Sequence, residues 1–166
     1  MNKGLLIVYN TCTIGWPPHR LSFARDSIKQ WTKDITRILS QDISDCEIVV
    51  TECRGPGNVQ WSNSQEFNSW KSFLADHDIT HIVVKDYLPF GQSVNHAVKT
   101  MINKNGMYEY YMYWSSGFEL YPKYDLDDKT ILSNIYNCMQ ENKDIARANL
   151  FASNDNYPPL GYDHNI

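Results

Sequence analysis

Leu5-Leu6-Ile7-Val8-Tyr9 is the stretch on which the fold turns. A strand with one wet face alternates apolar and polar residues. A short continuous apolar run belongs instead to a strand covered on both faces, the usual state of a parallel strand. The chain repeats this pattern. Cys46 to Thr51, centred on Ile48-Val49-Val50, reads as a second buried strand, and Ile79 to Lys85, with Ile82-Val83-Val84, as a third. Glu109 to Trp114 is a fourth strand by its aromatic content, and Ile145 to Phe151 a fifth.

Helical periodicity fills the gaps. Asn10 to His19, with Gly15, Pro17 and Pro18, reads as a loop. Ala24, Ile28, Trp31, Ile35 and Ile38 then recur at spacings of three and four, one stripe of a helix. Phe67, Trp70 and Leu74 mark a second helix. After a break at Pro89-Phe90-Gly91, Val94, Ala97 or Val98, and Met101 mark a third. A fourth is expected over about Asp127 to Glu141, with Ile131, Ile135, Cys138 and Met139 inward and Asp125, Asp127 and Asp128 at its positive end. Strands alternating with helices imply right-handed βαβ crossovers. The expected fold is Rossmann-like α/β, a mainly parallel sheet with helices on both faces. Residues 1–151 form its one domain, and 152–166, without periodicity, form an irregular tail.

The 166 residues suit a single core, and 42% hydrophobic against 20% charged residues excludes general disorder. Fifteen basic and nineteen acidic side chains leave a net charge of −4, which argues against a nucleic-acid partner. No apolar run approaches the ~20 residues of a bilayer span, and the apolar run after Met1-Asn2-Lys3-Gly4 is too short for a signal peptide. Cys12, Cys46, Cys53 and Cys138 form no CxxC and no zinc spacing. Three of them lie in or beside buried segments and read as small hydrophobes, and the expected compartment is the reducing cytoplasm.

Ligands of open parallel sheets bind beyond the carboxyl ends of the strands. That rule selects Tyr9-Asn10-Thr11, Thr51-Glu52-Cys53-Arg54, Lys85-Asp86 and Ser115-Ser116-Gly117. No GxGxxG follows the first strand, and no GxxxxGK[ST] occurs, so the dinucleotide and P-loop readings lose their main support. Glu52 is suited to accept from a ribose hydroxyl or base N–H, Tyr9 to stack on a base, and Lys85 and Arg54 to neutralise phosphate.

The order of these motifs resembles the GT-A glycosyltransferases, particularly the large inverting family that uses nucleotide-diphosphate sugars. The resembling segments are Ile7-Val8-Tyr9-Asn10, Ile48-Val49-Val50-Thr51-Glu52, Gly91-Gln92-Ser93-Val94-Asn95-His96-Ala97, Glu109 to Leu120, and Pro122 onward through Glu141-Asn142-Lys143-Asp144-Ile145-Ala146. The resemblance implies a nucleotide-sugar donor, UDP-linked, and an unknown acceptor. It puts Ile7, Tyr9 and Asn10 at the base pocket, Glu52 on the uracil or ribose, Lys85 nearby, and Ser93, Ser115 and Ser116 toward the donor. Asn95, beside Ser93, reads equally well as a helix-capping or packing residue.

Two departures stand out. Where the family carries its metal-binding DxD, this chain has Ser115-Ser116-Gly117. Hydroxyls are poor ligands for the Mn²⁺ or Mg²⁺ that the resemblance implies. A displaced metal site using Glu119 and His164, a Lys or Arg in place of the metal, and lost catalysis all remain open. Asp125-Leu126-Asp127 spells a shifted DxD but sits at a helix start, where acids cap. The second departure is length. Acceptor segments carrying the general base are short here, leaving Asp155 and Asp163 as the candidate catalytic carboxylates. His19, His77, His81 and His96 form no metal or catalytic spacing. The alternatives to an enzyme are a non-catalytic nucleotide- or sugar-binding module, or an interaction subunit, a homodimer for instance, using Trp16, Trp61 and Tyr162.

Overall fold

The computed structural model describes residues 3–12, 21–53, 64–84, 88, 90–115 and 131–144. They form β1 (Lys3–Cys12), α1 (Leu21–Leu39), β2 (Cys46–Cys53), α2 (Gln65–Asp76), β3 (Thr80–Val84), α3 (Phe90–Asn105), β4 (Tyr108–Ser115) and α4 (Ile131–Glu141). The four strands make one sheet in the order β3-β2-β1-β4, and every neighbouring pair is parallel. This is the expected α/β fold with a parallel sheet. The fifth strand expected at 145–151, the tail 152–166 and the acidic start of the fourth helix lie outside the described residues.

Alternation along β1 sends Leu5, Ile7 and Tyr9 to one face, where they meet Ile28, Trp31, Ile35 and Ile38 of α1, Phe67, Trp70 and Leu74 of α2, and Leu132 of α4. Leu6 and Val8 go to the other face, against Ala97 and Met101 of α3. The unbroken apolar run therefore has its physical cause: both faces are roofed by helices. The step from β1 to β2 and on to β3 uses helices on the first face. The return to β4, on the far side of β1, uses α3 on the second, as crossovers of one hand require when the direction reverses.

Local signals set the helix ends. The Ser64 hydroxyl accepts from the Phe67 N–H at 3.2 Å and caps α2. Gly106, at φ +88°, turns the chain out of α3 while its N–H donates to the Ile102 carbonyl at 2.8 Å. Trp70 is fully buried, tilted against Trp31 and stacked on Phe73, with ring centroids 5.7 and 5.8 Å away. Its indole N–H has no hydrogen-bond partner among the described residues. Truncating it would cost about 3–5 kcal/mol.

Three expectations are corrected. Asn10, Thr11 and Cys12 continue β1 rather than opening the loop, because they pair in register with Thr51, Glu52 and Cys53. The chain break before the third helix ends sooner, since α3 already starts at Phe90, directly after the proline. Cys138 is exposed on α4, not inward. The buried positions there are Leu132 and Ser133, which turns the helix so that Cys138 faces water. Cys46 is half-buried and Cys53 buried.

Candidate functional site

The strand order reverses between β1 and β4, and the carboxyl edge at such a reversal is the position where open parallel sheets take ligands. Asn10 lies at this edge, in register with Thr51 on one side and Ser115 on the other. Three of the four rim segments selected from sequence thus share this edge through Asn10, Thr51, Glu52 and Ser115.

On the α3 side, the Ser93 hydroxyl donates to Asn10 Oδ1 at 3.1 Å. Ser93 and Thr51 hydroxyls lie 3.0 Å apart, and with the Ser93 proton committed to Asn10, Thr51 is the donor. The Thr11 hydroxyl reaches the Thr51 carbonyl at 3.3 Å. This relay is buried and ties the first turn of α3 to the ends of β1 and β2. The Cys53 thiol extends it, lying 3.8 Å from the Leu88 carbonyl just ahead of α3.

On the opposite face the groups are ionisable side chains. Glu52 is fully buried and meets His81 Nε2 at 3.0 Å. The His81 ring lies 6.5 Å from the Phe67 ring. Tyr9 is fully buried too, and its hydroxyl donates to Asp34 Oδ2 at 2.6 Å while Gln30 holds the other Asp34 oxygen at 2.7 Å. Burial, and then the Asp34 carboxylate, push the Tyr9 phenol far above its ordinary pKa, so it stays a neutral donor. Ile7 sits deeper in the same layer with no exposed surface. Ile7 and Tyr9 are therefore packing residues beneath the rim, and the Tyr9 ring offers no open face for stacking.

Lys85, Ser116, Glu119, Asp155, Asp163 and His164, along with Arg54, lie outside the described residues. Among the described residues no group of three or more His, Cys, Asp or Glu is placed to hold a metal ion. Glu52 and His81 alone do not make a Mn²⁺ or Mg²⁺ site, and no step is derived through one.

Asp34 and His81 are the rim residues that sequence reasoning missed. Asp34 had a signal: it falls three after Trp31 and one before Ile35, an acid on the inward stripe of an amphipathic helix. His81 had none, because only the β2–β3 pairing brings it to Glu52. Comparison with protein-family models finds no match, and comparison with curated proteins finds none either. Among the described residues no helix is long and apolar enough to cross a membrane.

Proposed function

We propose that the chain binds a nucleoside diphosphate sugar, UDP-linked, at the carboxyl edge of the sheet and transfers the sugar to an acceptor. The observation that carries this reading is the concentration of buried polar side chains at the reversal point: Asn10, Thr51 and Ser93 on one face, and Glu52, paired with half-buried His81, on the other. Burying such groups is costly unless they are paired, and a fold that gathers them at its ligand edge is built to hold polar atoms there. The motif order resembling GT-A glycosyltransferases supplies the choice of donor and of reaction. Glu52, held by His81, accepts from the ribose or base. The relay through Ser93 orients the α3 turn toward the diphosphate. An acceptor hydroxyl then attacks the anomeric carbon, a carboxylate takes its proton, and the nucleoside diphosphate leaves. Mn²⁺ or Mg²⁺, where bound, would offset charge on the leaving group.

Titration calorimetry with UDP, UMP, GDP and ADP, with and without Mn²⁺, tests the reading. UDP binding is expected, weakened by about 1–3 kcal/mol in Glu52→Ala, the usual cost of losing a charged hydrogen bond. Silence with all four nucleotides would remove the donor site. Binding of UDP without release or transfer from a radiolabelled UDP-sugar would leave a binding module in place of the enzyme.

A further inference from the structure

The first turn of α3 is tied to the carboxyl edge by Ser93, through Asn10 and Thr51. Its leading N–H groups, those of Gly91 and Gln92, come too early in the helix to reach a helical acceptor. No acidic side chain stands in that turn to offset the positive end of the helix dipole. A helix start alone names no ligand. Asn10 supplies the second observation.

The hydroxyl chain fixes which way the Asn10 amide points. Thr51 and Ser93 are fully buried, and each hydroxyl has one proton to place. With Thr51 donating to Ser93 and Ser93 to Asn10 Oδ1, both protons are used. Turning the amide over would make Nδ2 the donor to Ser93 and send the Ser93 proton to Thr51. The Thr51 proton would then be stranded, because that hydroxyl has no other partner, and buried sites avoid stranded donors. The donor end of the amide is therefore the one left over.

Nδ2 meets no acceptor in the protein, although Asn10 is only 6% exposed. It is not sealed in, unlike Trp70 Nε1, and so reaches solvent. Nδ2 shares a carbon with Oδ1, which Ser93 holds at 3.1 Å, and thus stands beside the first turn of α3. The space at that turn is open: a Cβ added to Gly91 would meet nothing within 4 Å.

We propose that Asn10 Nδ2 and the N–H groups of Gly91 and Gln92 form a cradle for a phosphoryl group. N–H donors cannot ligate a metal, so the cradle holds phosphoryl oxygens directly and needs no divalent cation. A phosphoryl group offers several acceptor oxygens at once, and the helix dipole adds a preference for negative charge. That the phosphoryl group belongs to a nucleoside diphosphate rests on the nucleotide reading, whereas the cradle itself does not.

The test titrates the full chain with inorganic phosphate and pyrophosphate in EDTA, against chloride at equal ionic strength, and follows assigned amide NMR signals. The Asn10 side-chain amide and the Gly91 and Gln92 backbone amides should shift with both phosphates. The Asn105 side chain, at the far end of α3, should not. Asn10→Asp keeps the shape but exchanges the donor for an acceptor, so phosphate affinity should fall at least about tenfold. Glu109→Gln, at the amino end, should bind as the parent does. Should Asn10→Asp fail to fold, the shift map of the parent decides. Shifts that are absent, lie elsewhere, need Mn²⁺ or appear equally with chloride would overturn the cradle, as would unaltered affinity in folded Asn10→Asp. UDP separates the two readings. Phosphate binding without UDP binding would defeat the nucleotide reading and leave the cradle. UDP binding with Asn10, Gly91 and Gln92 unshifted would overturn the cradle and leave the nucleotide reading.

Discussion

The two ends of the sheet hold their polar groups in opposite ways. At the amino end, half-buried Glu47 accepts from the Tyr108 hydroxyl and, at 2.6 Å, from Asn105. Nearby, Lys143 meets Glu109 at 2.6 Å with both side chains well exposed. At the carboxyl end, Asn10, Thr11, Thr51, Glu52 and Ser93 are all buried. Charges that stay near water cost little and contribute little. Polar atoms taken out of water cost several kcal/mol unless paired, on the order of 2–7 for a neutral group. Both ends are satisfied, but the carboxyl end carries more of that expense. The contrast separates the two ends by where their polar side chains are paired, at the amino end largely in reach of water and at the carboxyl end away from it.

The sharpest way to break this contrast is Glu52→Ala, which strips His81 of its buried partner. A loss of about 1–3 kcal/mol in urea unfolding is expected, the usual cost of leaving a largely covered hydrogen-bonding group without its partner. A double-mutant cycle with His81→Ala should return much of it as coupling energy. A change no larger than that of a surface substitution would erase the distinction between the two ends.

Ser93→Ala comes next. It removes the donor to Asn10 and the acceptor of Thr51 together, at an expected cost of about 1–3 kcal/mol. Hydrogen exchange should quicken in the first turn of α3 and not in its last.

At the amino end, backbone contact rather than polar burial sets the largest effect. A Cβ on Gly4 would lie 2.5 Å from the Asp45 carbonyl oxygen and 2.7 Å from the Tyr136 hydroxyl. The same Asp45 carbonyl accepts from the Leu5 N–H at 2.9 Å, so it cannot withdraw freely. Gly4→Ala should therefore destabilise by about 1–3 kcal/mol, the range for overpacking, without affecting nucleotide binding.

A pH titration sharpens the same end. Burial, and then Glu47, push the Tyr108 phenol from 10.0 up to about 12. The folded state holds that proton more tightly than the unfolded one. The contribution is therefore complete below pH 10 and lost as pH rises toward about 12. Cys46, pushed from 9.0 to about 12 chiefly by burial, loses its contribution over a window that overlaps this one. Tyr108→Phe should remove only the tyrosine part of the alkaline decline in unfolding stability.

Glu109→Gln should have the smallest effect. Lys143 and then Gln140 hold the Glu109 carboxyl below the ordinary range, so its contribution is present above that range and fades as pH falls through the lowered pKa. The group is exposed, and thermal melts at neutral pH should barely distinguish the variant from the parent.

By itself the sequence determined the parallel α/β class, because continuous apolar runs such as Leu5 to Tyr9 and stripes such as Ile28-Trp31-Ile35-Ile38 are local patterns with few foldable meanings. It also determined which strand ends are polar, and so named Asn10 and Glu52. The tertiary structure alone decided which of these groups meet. Strand order put β1 between β2 and β4, and the register set Asn10 beside Thr51 and Ser115 and Cys12 beside Cys53. It turned Tyr9 from a stacking surface into a buried donor to Asp34, and His81 from a bland strand residue into the partner of Glu52. The physical reason is that periodicity records which side of an element avoids water, whereas pairing between residues dozens of positions apart depends on how the elements dock.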